Sequence, residues 1–149
     1  MRPEDIGDAL HEALYEEPAF AMLAAAGCGW VDGGCRSLMR ALVLLLGDAA
    51  TPYQIVQSED QRNSEHALVR VGDWYLDGDG VSSETELIRR WYEDEELDRV
   101  VLRPFDPDQE PPEHAGERSS FCLDEARVCE LAELIDAKVG REALLSLRG

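Results

Sequence analysis

The sequence is poor in basic residues and has no long apolar run. Its 149 residues include 14 Lys and Arg against 32 Asp and Glu, which gives a formal net charge of -18 at pH 7. Binding to nucleic-acid phosphates requires a basic surface, so we expect no direct nucleic-acid binding. The apolar runs, Ala41 to Leu46 among them, are too short to cross a bilayer, and the acidic N-terminus does not resemble a secretion signal. We therefore expect a cytoplasmic protein that does not associate with membranes.

Cysteines are few and no Cys-x-x-Cys motif is present. Cys28 and Cys35, like Cys122 and Cys129, are spaced more widely than paired ligands in structural zinc sites. In a reducing cytoplasm such residues are free thiols, most of them buried. We therefore expect neither a disulfide framework nor a metal, and nothing in the sequence calls for a cofactor.

The one metal site that the sequence suggests is a calcium-binding loop. Asp77, Asp79 and Glu86 fall on ligand positions of such a loop when Gly80 is aligned with its invariant glycine. Tyr75 would then stand where the first acidic ligand is needed. We therefore prefer other roles for these carboxylates.

The composition, 44% hydrophobic and 31% charged, is that of one globular domain over residues 1–149. Helical periodicity predicts two helices before a glycine-rich stretch and a third from Cys35 to Gly47. Short strands are predicted next, followed by a helix capped by Ser83 and Glu86, a strand, a proline-rich loop and C-terminal helices. Helices that precede and follow a small antiparallel sheet in the sequence indicate an α+β fold.

The most informative stretch is the predicted hairpin from His66 to Gly80. Two alternating runs flank Gly72-Asp73, which is the composition of a tight turn. A two-residue loop places His66 opposite Asp79, with Asp77 one diagonal step away on the same face. The opposite face then carries only apolar residues, namely Ala67, Val69, Val71, Trp74 and Leu76.

Cys35 is the candidate nucleophile because it lies at the predicted N-terminus of a helix. Unpaired N–H groups and the helix dipole favour a thiolate there, and Gly33-Gly34 would let a substrate carbonyl approach the backbone. A thiol nucleophile needs a base, and the base needs an orienting acceptor. His66 can be the base, and either Asp77 or Asp79 the acceptor.

Gly-Gly-Cys35 opening an amphipathic helix, then His66-Ala-Leu-Val-Arg-Val and Trp-Tyr-Leu-Asp77, resembles the core of the papain-like and transglutaminase-like cysteine superfamily over about residues 27–80. The resemblance implies a papain-like core, in which a nucleophile helix packs on a short antiparallel sheet. It also implies a peptidase, amidase, deamidase or transglutaminase-like acyltransferase that works through a thioester.

Carried over residue by residue, the resemblance makes Cys35 the nucleophile and His66 the base, and it favours Asp77 over Asp79 as the third member. The glutamine that precedes the nucleophile in papain-type enzymes is absent, which leaves backbone amides as oxyanion donors. Trp30 would wall the substrate cleft. The implied substrate is a protein or peptide, and the acidic charge points to a basic one.

A non-catalytic interpretation is also open. Cys35 can be read as a core residue and the aspartates as turn residues. An acidic module of this kind would bind a basic protein, or inhibit one by imitating nucleic acid. Such a mimic needs no arrangement of glycine, cysteine and histidine, so the features around Cys35 favour the enzyme.

Overall fold

Helices stand at both ends of the chain and strands in its middle. The computed structural model describes residues 2–24, 34–61, 64–109 and 123–149. The helices are α1 (Pro3–Tyr15), α2 (Ala19–Ala24), α3 (Cys35–Leu46), α4 (Glu84–Glu93), α5 (Glu125–Lys138) and α6 (Arg141–Leu145). The strands are β1 (Thr51–Val56), β2 (His66–Val71), β3 (Trp74–Asp77), β4 (Gly80–Ser82) and β5 (Val101–Pro104). The predicted α+β class is confirmed.

All five strands form one antiparallel sheet in the order β4-β3-β2-β1-β5. Strands β2 and β3 pair Val71 with Trp74 and Val69 with Leu76, which is the register expected for a Gly72-Asp73 loop. Gly72 has a φ of +61°, a conformation that glycine adopts without strain. The side-chain period of two is therefore kept through the hairpin, and it decides which residues face each side of the sheet.

The two faces of the sheet are covered by different helices. Helices α1 and α3 cover one face and α5 packs against both of these helices, and the main core lies there, around Leu10, Leu42, Val69 and Leu131. Helix α4 covers the other face with a smaller cluster made of Ile55, Leu68, Tyr75, Leu87 and Trp91. The sheet is thus buried on both sides where β2 and β3 cross its centre.

The ends of α3 and α4 follow from their capping residues. Helix α3 begins at Cys35 directly after Gly34 and ends at Gly47, whose φ of +60° stops the helix. In α4 the hydroxyl of Ser83 accepts from the Glu86 N–H at 3.3 Å, and the Glu86 side chain accepts from the Ser83 N–H at 3.2 Å. The predicted capping box is confirmed.

Strand β4 was not expected from the sequence. It is three residues long, and it follows a turn at Gly78-Asp79 that returns the chain along β3, with Asp77 paired to Gly80. The proline-rich loop is described only to residue 109, and the helix Pro107–Gln109 lies in that part. No helix in the described ranges is long and apolar enough to cross a membrane.

Helix α1 packs against β4 through a glycine. A Cβ atom on Gly7 would lie 2.9 Å from the Val81 backbone nitrogen and 3.3 Å from the Val81 Cβ. These atoms belong to a paired strand that cannot move without disturbing the sheet. Gly7 therefore sets how closely α1 approaches β4, in spite of the cost of glycine inside a helix.

We predict that Gly7→Ala destabilises the fold. The gain in helix propensity is about 1 kcal/mol, and overpacking against a strand backbone costs about 1 to 3 kcal/mol, so the net loss should be up to about 2 kcal/mol. Urea unfolding measures it. Asp8→Ala, at an exposed position of the same helix, is the matched control and should leave stability close to that of the parent. A Gly7→Ala protein more stable than the parent would show that the contact is not tight.

Candidate active site

A buried pair of side chains, His66 and Asp77, forms the centre of the candidate site. His66 is the first residue of β2 and Asp77 the last of β3, and their exposed fractions are 1% and 2%. Nε2 of His66 lies 3.0 Å from Oδ2 of Asp77. Because an ionised carboxylate only accepts hydrogen bonds, Nε2 is the donor, and this bond selects the ring tautomer whose Nδ1 is free to take a proton.

Cys35 lies on the other side of His66, at the first position of α3. Cys35 is partly exposed as a residue, and its thiol interacts with His66 and with the backbone N–H of Ala67. Nδ1 of His66 is buried and makes no hydrogen bond of ordinary length and angle within the described residues. Since Nε2 is bound to Asp77, we infer that Nδ1 faces the thiol in a longer contact, as is common in catalytic pairs without substrate.

The electrostatics of this chain of three residues favour charge separation. Burial alone would raise the pKa of the Cys35 thiol, but the hydrogen bond and charge of His66, the Ala67 N–H and Arg36 outweigh it and lower that pKa. Burial likewise opposes a charged His66, yet Asp77 and Cys35 raise the His66 pKa to about 9. Both shifts favour a thiolate beside an imidazolium over the neutral pair.

Asp77, and not Asp79, contacts the histidine. The expectation that Asp79 lies opposite His66 is wrong, because β3 ends at Asp77 and the chain turns at Gly78-Asp79 before it would reach that position. The register itself is as expected, and the error lies in the length of the strand. The backbone N–H of Asp79 donates to Oδ1 of Asp77 at 3.0 Å, so Asp79 contributes to the site through its main chain.

Two residues of α4 join the site without having been expected there. The Arg90 guanidinium donates to Asp77, and the Trp91 ring lies 4.7 Å from the His66 ring, between centroids. Trp91 is 5% exposed and covers the imidazole on the α4 side of the sheet. Together with the cation at Arg90, the hydrogen bonds from His66 and Asp79 hold the pKa of Asp77 below its usual value despite burial.

The remaining candidate residues are only partly described. Gly34 is buried and precedes α3, with its carbonyl accepting from Leu38 N–H at 3.1 Å. The N–H groups of the first turn, that of Cys35 included, have no acceptor within the helix and can bind a developing oxyanion. Gly33 and Trp30, the other predicted residues of this region, lie outside the described residues, as do Cys28 and Cys122.

No group of three or more potential metal ligands occurs among the side chains that the structure describes. Asp77, Asp79 and Glu86, considered above for calcium, are instead bound to His66, Arg90 and Ser83 respectively. No protein-family model matches the chain, and no similar curated protein or solved structure was found. The case for the site therefore depends on its own geometry.

We predict that Cys35 reacts with iodoacetamide faster than an ordinary thiol at neutral pH. Its ionisation midpoint should lie below the free-thiol value of roughly 8.5, because the imidazolium stabilises the thiolate. In His66→Ala that stabilisation is lost, and the midpoint should rise to the free-thiol value or above it. Alkylation rates against pH, resolved by peptide mapping, measure this, with the exposed Cys129 as the internal comparison. Identical profiles for parent and His66→Ala would exclude His66 as the partner of the thiol.

We also predict that the two aspartates differ sharply. Asp77→Asn keeps the size of the side chain but removes the charge that stabilises imidazolium, so alkylation of Cys35 at pH 7 should slow by about tenfold or more. Asp79→Asn keeps the backbone N–H bond to position 77 and should have a much smaller effect. The same alkylation assay decides between them. A larger loss of Cys35 reactivity in Asp79→Asn than in Asp77→Asn would indicate that Asp79 is the third member of the triad.

Proposed function

We propose that the chain is a cysteine-dependent hydrolase or acyltransferase that acts on an amide bond in a protein or peptide. Cys35 is the nucleophile, His66 the base and Asp77 the residue that orients it, in a papain-like core. The observation that carries this proposal is the buried imidazole held between the thiol of Cys35, a partly exposed residue, and a buried carboxylate. Burying a charged histidine and aspartate is costly in free energy, and a purely structural role for that pair does not account for the thiol beside it.

In the first half of the reaction the Cys35 thiolate attacks the amide carbonyl carbon and a C–S bond forms. The carbonyl oxygen becomes an oxyanion, stabilised by N–H groups at the start of α3. The tetrahedral intermediate collapses with cleavage of the C–N bond. The imidazolium of His66 gives its proton to the leaving amine, which leaves a thioester and a neutral histidine hydrogen-bonded to Asp77.

In the second half a water molecule or an amine attacks the thioester. His66 takes the proton of the attacking group, the C–S bond breaks, and the thiolate–imidazolium pair is restored. Water gives a carboxylic acid, and an amine gives a new amide. Both outcomes use the same three side chains, and both need a reduced thiol, which fits a cytoplasmic enzyme.

The surroundings of the site support a basic substrate. Asp79 is 40% exposed beside Arg90, and both Asp79 and Asp77 lie close enough to Tyr15, at the end of α1, to raise its pKa in addition to the effect of burial. The chain has no Lys or Arg between Arg2 and Arg36. Lys138 of α5 and Arg90 of α4 reach this region, but each is paired with a carboxylate, Glu16 and Asp79 respectively. A cationic segment that approached along α1 would therefore meet a surface of net negative charge.

Aromatic rings border the same region. Tyr15 is 40% exposed and Phe20 is 48% exposed, with their ring centroids 6.4 Å apart. The Tyr15 ring also stacks on His11 at 4.4 Å. Exposed aromatic faces among carboxylates attract the ammonium and guanidinium groups of Lys and Arg. This supports a substrate with basic residues close to the amide that reacts.

We predict Cys35-dependent modification of basic peptides. The protein is incubated with two peptide libraries and with hydroxylamine as the acyl acceptor. The libraries are matched in length and apolar content, and one carries Lys and Arg while the other carries Asp and Glu. Mass spectrometry then detects cleavage, side-chain deamidation or hydroxamates. The basic library should be modified at least about tenfold faster, as complementary charge mainly speeds association. Cys35→Ala should abolish every product, and Cys129→Ala, which alters an exposed thiol, should retain them.

The outcomes separate the enzyme from a binding module. Products that persist in Cys35→Ala would overturn the proposed nucleophile. If no peptide reacts, while parent and Cys35→Ala bind the basic library equally, the acidic binding module is the better description, and the charge of -18 is its main determinant. Faster reaction of the acidic library would contradict the proposed substrate class alone.

A further inference from the structure

Arg90 makes three contacts around the inner end of the candidate triad. Its Nη2 donates to Oδ2 of Asp77, the same oxygen that accepts from His66. Its Nη1 donates to the hydroxyl of Ser82 at 3.3 Å, and its Nε lies 3.4 Å from Oδ2 of Asp79. The guanidinium is therefore held by β3, β4 and the turn between them, and its side chain is only 19% exposed.

The shape of the guanidinium matters for this arrangement. Its donors form a rigid planar fork, so contacts to Ser82 and Asp79 fix the position of the third donor, which points at Asp77. The carboxylate of Asp77 is thus oriented from two sides, by Arg90 at Oδ2 and by the Asp79 N–H at Oδ1. A lysine at this position would keep the charge but could not make the three contacts at once.

The charge of Arg90 and its geometry have opposite effects on His66. As a cation close to Asp77, Arg90 disfavours a second cation on the imidazole. As a donor, it keeps a buried carboxylate ionised and turned toward Nε2, which favours the imidazolium. Removing Arg90 therefore raises the pKa of the Cys35 thiol if geometry dominates, and lowers it if charge dominates. The direction of the shift in the Cys35 pKa therefore distinguishes the two effects.

We propose that Arg90 is a positioning residue that acts through Asp77 to stabilise the thiolate–imidazolium pair. The proposal rests on the function proposed above for Cys35, His66 and Asp77. Geometry outweighs charge because Asp77 is 2% exposed and has no water to replace a lost donor. Without the fork, the buried carboxylate either takes up a proton or turns away from the imidazole, and the imidazolium loses its counter-ion in both cases.

Several other charged or titratable groups contribute to the same electrostatic environment. The test below leaves all of them in place: Cys35 and Arg36 from α3, Tyr15 from α1 and Asp79 from the turn. A change on substitution of Arg90 is therefore assigned to Arg90 and Asp77.

The test is the pH dependence of Cys35 alkylation in Arg90→Gln and Arg90→Lys. Both variants should move the ionisation midpoint upward by about one pH unit, which slows alkylation by about tenfold at pH values below the parent's midpoint. Arg89→Gln is the matched control, because Arg89 lies next along α4 and contacts only the exposed Glu93 among the ion pairs found in the described chain. Its profile should overlay that of the parent.

Three results would overturn the proposal: an Arg90→Lys profile equal to the parent's, an Arg90→Gln midpoint moved to lower pH, or no change in either variant. Near-ultraviolet circular dichroism and thermal unfolding show whether each variant is folded. If the Arg90 variants do not fold, Ser82→Ala removes a single anchor of the guanidinium and should shift the midpoint in the same direction by less. A profile unchanged in folded Ser82→Ala would then count against Arg90.

The same data separate this proposal from the proposed function. A parent protein whose Cys35 titrates as an ordinary thiol would overturn both. A parent with a low midpoint whose Arg90 variants behave identically would overturn the role of Arg90 alone and leave the nucleophile, base and carboxylate as proposed.

Discussion

The hydrogen bond between His66 and Asp77 constrains most of the structure around it. A carboxylate that is 2% exposed persists as an anion only if donors replace the water it has lost, and Asp77 has three of them: the His66 ring, the Arg90 guanidinium and the Asp79 backbone N–H. Each donor comes from a different element. The start of β2, the turn after β3 and the middle of α4 must therefore be placed to within a hydrogen-bond length of one another.

The two cores of the fold provide that accuracy. On one face of the sheet, α3 packs along β2 and brings Cys35 to the strand end where His66 begins. On the other face, Leu87 and Trp91 of α4 are buried against the sheet, which brings Arg90 of the same helix to Asp77. Cys35 and Arg90 thus approach the His66–Asp77 pair from opposite layers. The sheet between them is rigid because it is close-packed on both sides.

The sequence predicts the hairpin well and its end poorly, for physical reasons. Alternating apolar residues on either side of Gly72-Asp73 determine the faces and the register, because a slip by one residue would expose the core face. Alternation cannot show where β3 stops, and β4 is too short to have a periodicity of its own. This is why Asp79 was expected opposite His66. Arg90 gave no local signal, since its carboxylate partner lies in another element and ordinary exposed arginines occupy helix positions of the same kind.

The contrast between Asp77 and Asp79 explains how a strongly acidic chain can lower the pKa of a thiol. Every carboxylate near Cys35 opposes its ionisation, and the net charge of -18 adds a diffuse opposition that solvent and salt screen. The pKa of the thiol is therefore determined mainly by groups close to it. Asp77 stabilises a positive charge on His66, and that positive charge favours ionisation of the thiol. The exposed Asp79 is paired with Arg90 instead. His66, the Ala67 N–H and Arg36 lower the pKa of the Cys35 thiol, and the N-terminus of α3 acts in the same direction. Because this site is shielded from solvent, these local groups outweigh the more distant surface charge.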